Sequence, residues 1–343
     1  MISFTEFGDH DHEYFMVELR PTTKCNYNCF YCPDLHINTN KFIKINYKNI
    51  DSLIRHIKSI TNKPVHLFIC GGEPTLYPDF KNYISRLSKY LNQHDKITIQ
   101  TNLTKDINWF KDFCTITTPC ELYINPSYHK TAPGLRLTDY IKKCLYIKSC
   151  NMLGMISFSY TSRVCIKSDY LRACSTLGEE HCEIVPIMDG DVSRQAPQSL
   201  SKNEIDYLYN NENINELEST GHFFKKNLNY KTENTINKIS RAEMWFKRIN
   251  KFNGYSCSVS RNKIYIDWDG NCYSCFNGMF SKTPAIFNIN DSTFDIQKLN
   301  ITQCIVCPYT DCFFDLEYKK ISNPKNKQHV TIPINRKNNK RLL

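Results

Sequence analysis

Tyr14-Phe-Met-Val-Glu-Leu-Arg-Pro-Thr-Thr-Lys-Cys25-Asn-Tyr-Asn-Cys29-Phe-Tyr-Cys32 joins a strand pattern to a loop that carries three cysteines spaced CxxxCxxC. Tyr14 to Arg20 reads as a strand, and Pro21, the two Asn and Pro33 then impose turns. Short polar turns bring neighbouring sulfurs within bonding distance of one inorganic centre. Three is the informative number. A structural zinc takes four closed ligands, whereas an iron-sulfur cubane held by three cysteines keeps one iron open to something else. By spacing alone, a zinc knuckle stays open beside the cubane.

About forty residues on, Val65-His-Leu-Phe-Ile69 is a second strand, and it runs into Cys70-Gly71-Gly72-Glu73-Pro74. Glycines at 71 and 72 permit positive φ and close backbone approach. Glu73 offers a carboxylate that could pair with an ammonium group, and Pro74 stiffens the exit. The cysteine loop after a first strand, followed by Gly-Gly-Glu-Pro at the end of a second, resembles the radical S-adenosylmethionine (SAM) superfamily. The resemblance implies a [4Fe-4S] cluster on Cys25, Cys29 and Cys32. It also implies a Gly71–Pro74 segment that binds the methionine amine of SAM.

Beyond this point helix and strand patterns alternate. Asp79 to Leu91 has helical spacing, Lys96 to Thr101 alternates, and Glu121 to Asn125 is a short strand. Thr138 to Cys150 is then expected as a helix, Met152 to Tyr160 as a strand, Ser168 to Leu177 as a helix and Cys182 to Met188 as a sixth strand. Six strand-helix steps imply a parallel, open α/β barrel with ligands at the C-terminal strand ends. That is the partial (β/α)6 TIM barrel of the superfamily, expected over residues 10–190. Strand-end residues are candidates by position. Thr101 and Asn102 are expected to face SAM, as is Ser127, and His129 reads equally as a substrate contact or a surface histidine. Tyr31 occupies a position that meets the adenine in relatives. Ser157, Ser159 and Tyr160 alternate along the fifth strand, so only part of that set faces the cavity.

Residues 191–254 are polar and Asn-rich and read as a helical linker, with helices expected near Ser201 to Glu218 and Glu233 to Phe252. A second cysteine group follows in Cys257, Cys272, Cys275, Cys304, Cys307 and Cys312, with Lys263 to Trp268 as a strand and Asp269-Gly270-Asn271 as its turn. Cys257, Gly270 and Cys275 resemble the opening of the SPASM or twitch extension of radical SAM enzymes, which gives a small cysteine-rich domain over 255–317. Six thiols cannot supply the eight ligands of two auxiliary clusters. The count favours a single second [4Fe-4S] cluster, most simply on Cys257, Cys275, Cys304 and Cys307. Cys312 is able to replace either of the last two, and Cys272 is the one left out. Zinc on the same thiols is the alternative.

Composition narrows the rest. Seventeen cysteines in 343 residues, with no apolar signal-like start, point to metal chemistry in a reduced compartment, the cytoplasm. No apolar run is long enough to span a membrane. The net charge of +10 is carried largely by residues 318–343, where eight basic residues stand without an acidic one. That tail is expected to be flexible and solvated, and it lacks the interleaved aromatics of a nucleic-acid arm. The resemblance implies an oxidoreductase that draws an electron from flavodoxin or ferredoxin and cleaves SAM to a 5′-deoxyadenosyl radical. That radical would take hydrogen from a peptide or protein side chain. Dehydrogenation or rearrangement of a sugar, cyclitol or other small metabolite is the alternative, and a non-catalytic metal-binding protein is the alternative of another class.

Overall fold

The computed structural model describes residues 6–7, 12–29, 32, 41–160, 166–186, 227–231, 236–240, 252–280, 284–292, 294–296, 299, 304–307 and 318–319. Six parallel strands form its centre: β2 (Phe15–Leu19), β3 (Val65–Ile69), β4 (Lys96–Thr101), β5 (Glu121–Tyr128), β6 (Ile156–Tyr160) and β7 (Cys182–Pro186). Between them run α1 (Tyr47–Thr61), α2 (Phe80–Ser88), α3 (Ile107–Phe113), α4 (Leu137–Ser149) and α5 (Lys167–Leu177). The position of a sixth helix, with the expected Ser201 to Glu218 helix, lies outside the described residues.

Local chemistry explains these elements. In α1, Ile50, Leu53, Ile54 and Ile57 recur at helical spacing and are buried; Asn46 accepts the Lys48 and Asn49 N–H groups at its start, and left-handed Asn62 ends it. In β3, Val65, Leu67 and Ile69 alternate onto the helix-covered face with Val17, Ile97 and Ile99 of the neighbouring strands. His66, Phe68, Gln100 and Ser127 occupy the other alternation. Register is continuous across the sheet, from Leu19 opposite Ile69 to Ile69 opposite Ile99 and Ser127 opposite Ser157, so the polar strand ends lie at one rim.

Three features depart from the sequence expectation. The hairpin of the second cysteine region, β11 (Lys263–Ile266) and β12 (Asn271–Tyr273), adds to the barrel sheet. β11 pairs parallel with β2, and β13 (Phe287–Asn288) extends that edge. Residues 236–240, expected within a helix, form β9 (Ile236–Ser240) and pair with β8 (Asn227–Lys231). The Asn-Leu-Asn-Tyr-Lys alternation suits a strand, and sheet pairing outweighs the weak helical pattern downstream. Tyr318–Lys319, placed in the flexible tail by composition, forms a strand (β15) between β1 (Glu6–Phe7) and β10 (Ser256–Cys257). The remainder of the basic tail lies outside the described residues. Among the described residues no helix is long and apolar enough to cross a membrane.

Candidate active site at the strand ends

The cysteine loop leaves β2 and is tied at its base. Ile43 N–H donates to the Pro21 carbonyl (2.8 Å), Thr22 Oγ1 to Lys41 O (2.6 Å) and Lys41 N–H to Thr23 Oγ1 (3.2 Å). These bonds bring residues 21–23 and 41–43 side by side at the base from which Cys25 follows. Cys25, Cys29 and Cys32 are all half-buried, and the Cys32 N–H donates to Cys29 O (2.9 Å). Burial pushes the Cys25 thiol up to about 11, against the Tyr27 N–H that donates to its sulfur (3.4 Å). At neutral pH it carries its proton until a metal displaces it. Among the described residues no three Cys, His, Asp or Glu side chains already converge on a metal-sized point. Tyr31 lies outside the described residues.

Gly71 to Glu73 lies flush against the entry to this loop. Gly72 N–H donates to Thr22 O (2.9 Å) and Glu73 N–H to Lys24 O (2.7 Å). Gly71 has φ +112°, and a β-carbon there would sit 2.8 Å from Thr22 O. One on Gly72 would stand 2.7 Å from the Thr23 carbonyl carbon and closer still to the Lys24 oxygen. Both glycines are required by the backbone of the cysteine loop itself, a closeness that any larger residue would break.

The Glu73 carboxylate turns inward. It is 1% exposed; Oε1 accepts from Thr75 N–H (3.1 Å), Thr75 Oγ1 (2.5 Å) and Thr101 Oγ1 (2.7 Å), and Oε2 accepts from Asn102 N–H (2.8 Å). Burial pushes its pKa up and these bonds pull it down, with burial the larger. Glu73 thereby caps a short 3-10 turn, Pro74–Leu76, with Pro74 at its first position, and joins the ends of β3 and β4. Oε2, with one bond, keeps acceptor capacity for an ammonium group. Asn102 reaches back to the loop, its Nδ2 lying 3.0 Å from Asn26 Oδ1 and 3.9 Å from Cys25 Sγ.

The rim continues across β5 to β7. Gln100 Nε2 donates to Ser127 Oγ, Ser157 Oγ donates to Glu183 Oε1 (2.6 Å), and Ser159 Oγ lies 3.1 Å from His129 Nδ1. His129 packs edge-on to Tyr27 of the cysteine loop with centroids 6.2 Å apart, and burial lowers its pKa to about 4. It is a partly buried residue at the rim, held neutral by that burial. Asn26, Thr75, Gln100 and Glu183 were not singled out by sequence. Only Thr75 had a local signal, as the residue after Glu-Pro at a turn start.

The second cysteine group is arranged differently. β10 pairs with β14 (Ile305–Val306), setting Cys257 opposite Ile305, with Cys304 and Cys307 flanking that strand. Cys307 N–H donates to Tyr255 O (2.8 Å). Cys275 opens the helix Phe276–Phe280, and its sulfur accepts from Gly278 N–H (3.2 Å). Cys272 is fully buried in the barrel core, its thiol directed to Gly270 O (3.7 Å). Cys312 lies outside the described residues. Arg20, paired with Glu18 (2.9 Å), lies over the Phe276 ring and joins the two cysteine regions.

The Radical SAM superfamily profile matches residues 19–120, from the end of β2 through the cysteine loop and Gly71–Pro74 to the end of β4 and beyond. This segment is a radical SAM domain. Similar solved structures include SuiB from Streptococcus suis, with a TM-score of 0.53 and 15% identity over 84% of this chain and 66% of that one. SuiB has also been solved bound to its precursor peptide SuiA. Another is anSMEcpe with bound AdoMet and the Cp18Cys peptide, with a TM-score of 0.51 and 16% identity over 83% of this chain and 80% of that one. At these identities the likeness is one of fold. The chain spans just under two thirds of SuiB's length. A short stretch also resembles the GTPase Obg of Brachyspira hyodysenteriae, 32% identical over 77 residues, which is 21% of this chain and 11% of that protein. A radical SAM match over this segment implies a [4Fe-4S] cluster and SAM. The donor set fits them: three half-buried thiols on one loop, with a glycine-lined strand end against the loop's entry.

Proposed function

We propose that this chain is a radical SAM enzyme in which Cys25, Cys29 and Cys32 hold the cluster. Gly71–Pro74, Thr101, Asn102 and Ser127 hold SAM, together with Tyr31. The observation that carries this reading is the double hydrogen bond of Gly72 and Glu73 to Thr22 and Lys24, which fixes the SAM-facing strand end against the entry to the cysteine loop. When bound, the cluster and SAM supply a reductive cleavage that yields a 5′-deoxyadenosyl radical able to take hydrogen from a substrate carbon. The chain's own residues position and shield. Glu73 locks the β3 and β4 ends to one another, Oε2 offers the methionine amine an acceptor, and the strand-end rim excludes bulk water around the reacting carbon.

The substrate class that fits best is a peptide or protein side chain, with a low-potential flavodoxin or ferredoxin as electron donor. It is supported by the fold shared with SuiB and anSMEcpe over more than the barrel, both solved with peptides. A single auxiliary cluster on Cys257, Cys275, Cys304 and Cys307 completes the proposal, with Cys312 as the alternative ligand. The cysteine count, enough for one auxiliary cluster, favours a second reading, dehydrogenation of a sugar or cyclitol.

The test is anaerobic reconstitution with iron and sulfide, then dithionite and SAM. Wild type should form 5′-deoxyadenosine, and formation by Cys25→Ala protein would sink the proposal. Deuterium passing into 5′-deoxyadenosine from a labelled peptide, and not from labelled sugars, would decide the substrate class.

A further inference from the structure

Asn102 has its amide orientation dictated by its neighbours. Oδ1 accepts from Thr104 N–H (3.1 Å) and Thr104 Oγ1 (2.8 Å). A backbone N–H only donates, so the oxygen must face it and the NH2 group must face away. On that other side stand Asn26 Oδ1 at 3.0 Å and Cys25 Sγ at 3.9 Å, one acceptor for each N–H. The backbone is fixed too. Asn102 N–H is held by Glu73 Oε2 (2.8 Å), and the next residue, Leu103, has φ +55°, a conformation a leucine rarely adopts. Leu103 is kept there by its N–H on Thr101 Oγ1 (3.2 Å) and by Lys143 Nζ on its carbonyl (2.7 Å). Strain held in place on both sides marks a position whose geometry matters. Asn102 itself is 5% exposed, so water does not compete for its amide.

We infer that Asn102 is a positioning residue for the iron-sulfur cluster, donating from Nδ2 to the Cys25 ligand sulfur and so raising the cluster's reduction potential. The inference rests on the proposed reading of Cys25 as a cluster ligand. One-electron reduction by an external low-potential donor places an added negative charge on the cluster and its thiolates. A donor aimed at one thiolate stabilises that state more than the oxidised one. The same amide holds Asn26, so the loop cannot move off β4 without losing both bonds.

The experiment is an anaerobic redox titration, followed by electron paramagnetic resonance, of full-length reconstituted wild type, Asn102→Leu and Asn102→Asp. The relevant cluster is identified in wild type as the one whose signal SAM perturbs, and the same signal is followed without SAM in the variants. Leu matches Asn in shape and donates nothing. Its cluster should be harder to reduce by roughly tenfold in equilibrium constant, a potential lower by about 59 mV for one electron. Asp keeps both bonds from Thr104 but turns a negative oxygen to the sulfur, so its potential should fall further. It also serves if the Leu variant does not fold. Potentials unmoved in the variants, beside a normal wild-type cluster, overturn the inference alone. A wild-type chain that assembles no SAM-responsive cluster overturns the ligand reading and this inference with it.

Discussion

The two cysteine regions are built on opposite plans. Cys25, Cys29 and Cys32 are all half-buried, and the segment that leads into them is tied to the Gly71–Glu73 backbone and to Asn102. Cys257, Cys275 and Cys307 are 2%, 6% and 4% exposed, with Cys304 half-buried, set on or beside short strands and a helix start, and the nearby Gly254 meets nothing within 4 Å of where its β-carbon would be. A centre that must admit a second molecule needs an open face and close backbone packing behind it. A centre that only holds or passes electrons is better sealed.

The sharpest break in this comparison comes from the ligands. Cys25→Ala should abolish 5′-deoxyadenosine formation and remove about four irons per chain. Cys257→Ser should also remove about four irons but leave SAM cleavage, and Cys272→Ser should leave the iron count at the wild-type value. Iron analysis with chromatographic detection of 5′-deoxyadenosine reads all three. Loss of cleavage in Cys257→Ser would erase the distinction between the regions. Next in size are the glycines. Gly72→Ala drives a β-carbon into the backbone of Thr23 and Lys24 and should cost roughly 2–3 kcal/mol in urea unfolding, with weakened SAM binding. Gly254→Ala meets open space at φ +81° and should cost about 1 kcal/mol, the conformational penalty alone.

A graded effect comes from pH. Burial lowers His66 to about 3 and His129 to about 4, against 6.5 for the exposed side chain. Between those values the unfolded chain binds the extra proton. The stability each provides is complete above about pH 6.5 and is lost as the pH falls toward the folded value, roughly 1–2 kcal/mol for each by pH 5. Residues 252–319 contain no histidine. Hydrogen exchange at pH 7 and pH 5 should therefore loosen the barrel before the Cys257 region, and His66→Gln should flatten the difference.

How much of this was legible follows from signal length. Strands of five or six residues, such as Val65–Ile69 with its alternating burial and Lys96–Thr101, and helices with a buried stripe, such as Lys167–Leu177, stand within a residue or two of where the sequence pattern puts them. The two-residue strands, Glu6–Phe7, Ser256–Cys257 and Tyr318–Lys319, have no period to read, and their partners lie far along the chain. At the site, the cysteines and Gly-Gly-Glu-Pro were legible because their chemistry is in the residue types. The inward turn of Glu73 and the reach of Asn102 to Cys25 were not, since both depend on which strand ends become neighbours.

The parallel pairing of β11 with β2 sets Met16 beside Lys263, positions 247 apart in the chain. During synthesis, the strand that launches the cysteine loop waits for nearly four fifths of the polypeptide before its second edge is covered. Met16 N–H and Arg20 N–H find their acceptors on Asn262 and Ile266 only then. A nascent or truncated barrel ending before residue 262 would expose that edge to other chains. The strand that leads into the first cysteine region is thus fastened by residues from the second, a latch closed from late in the chain onto its beginning.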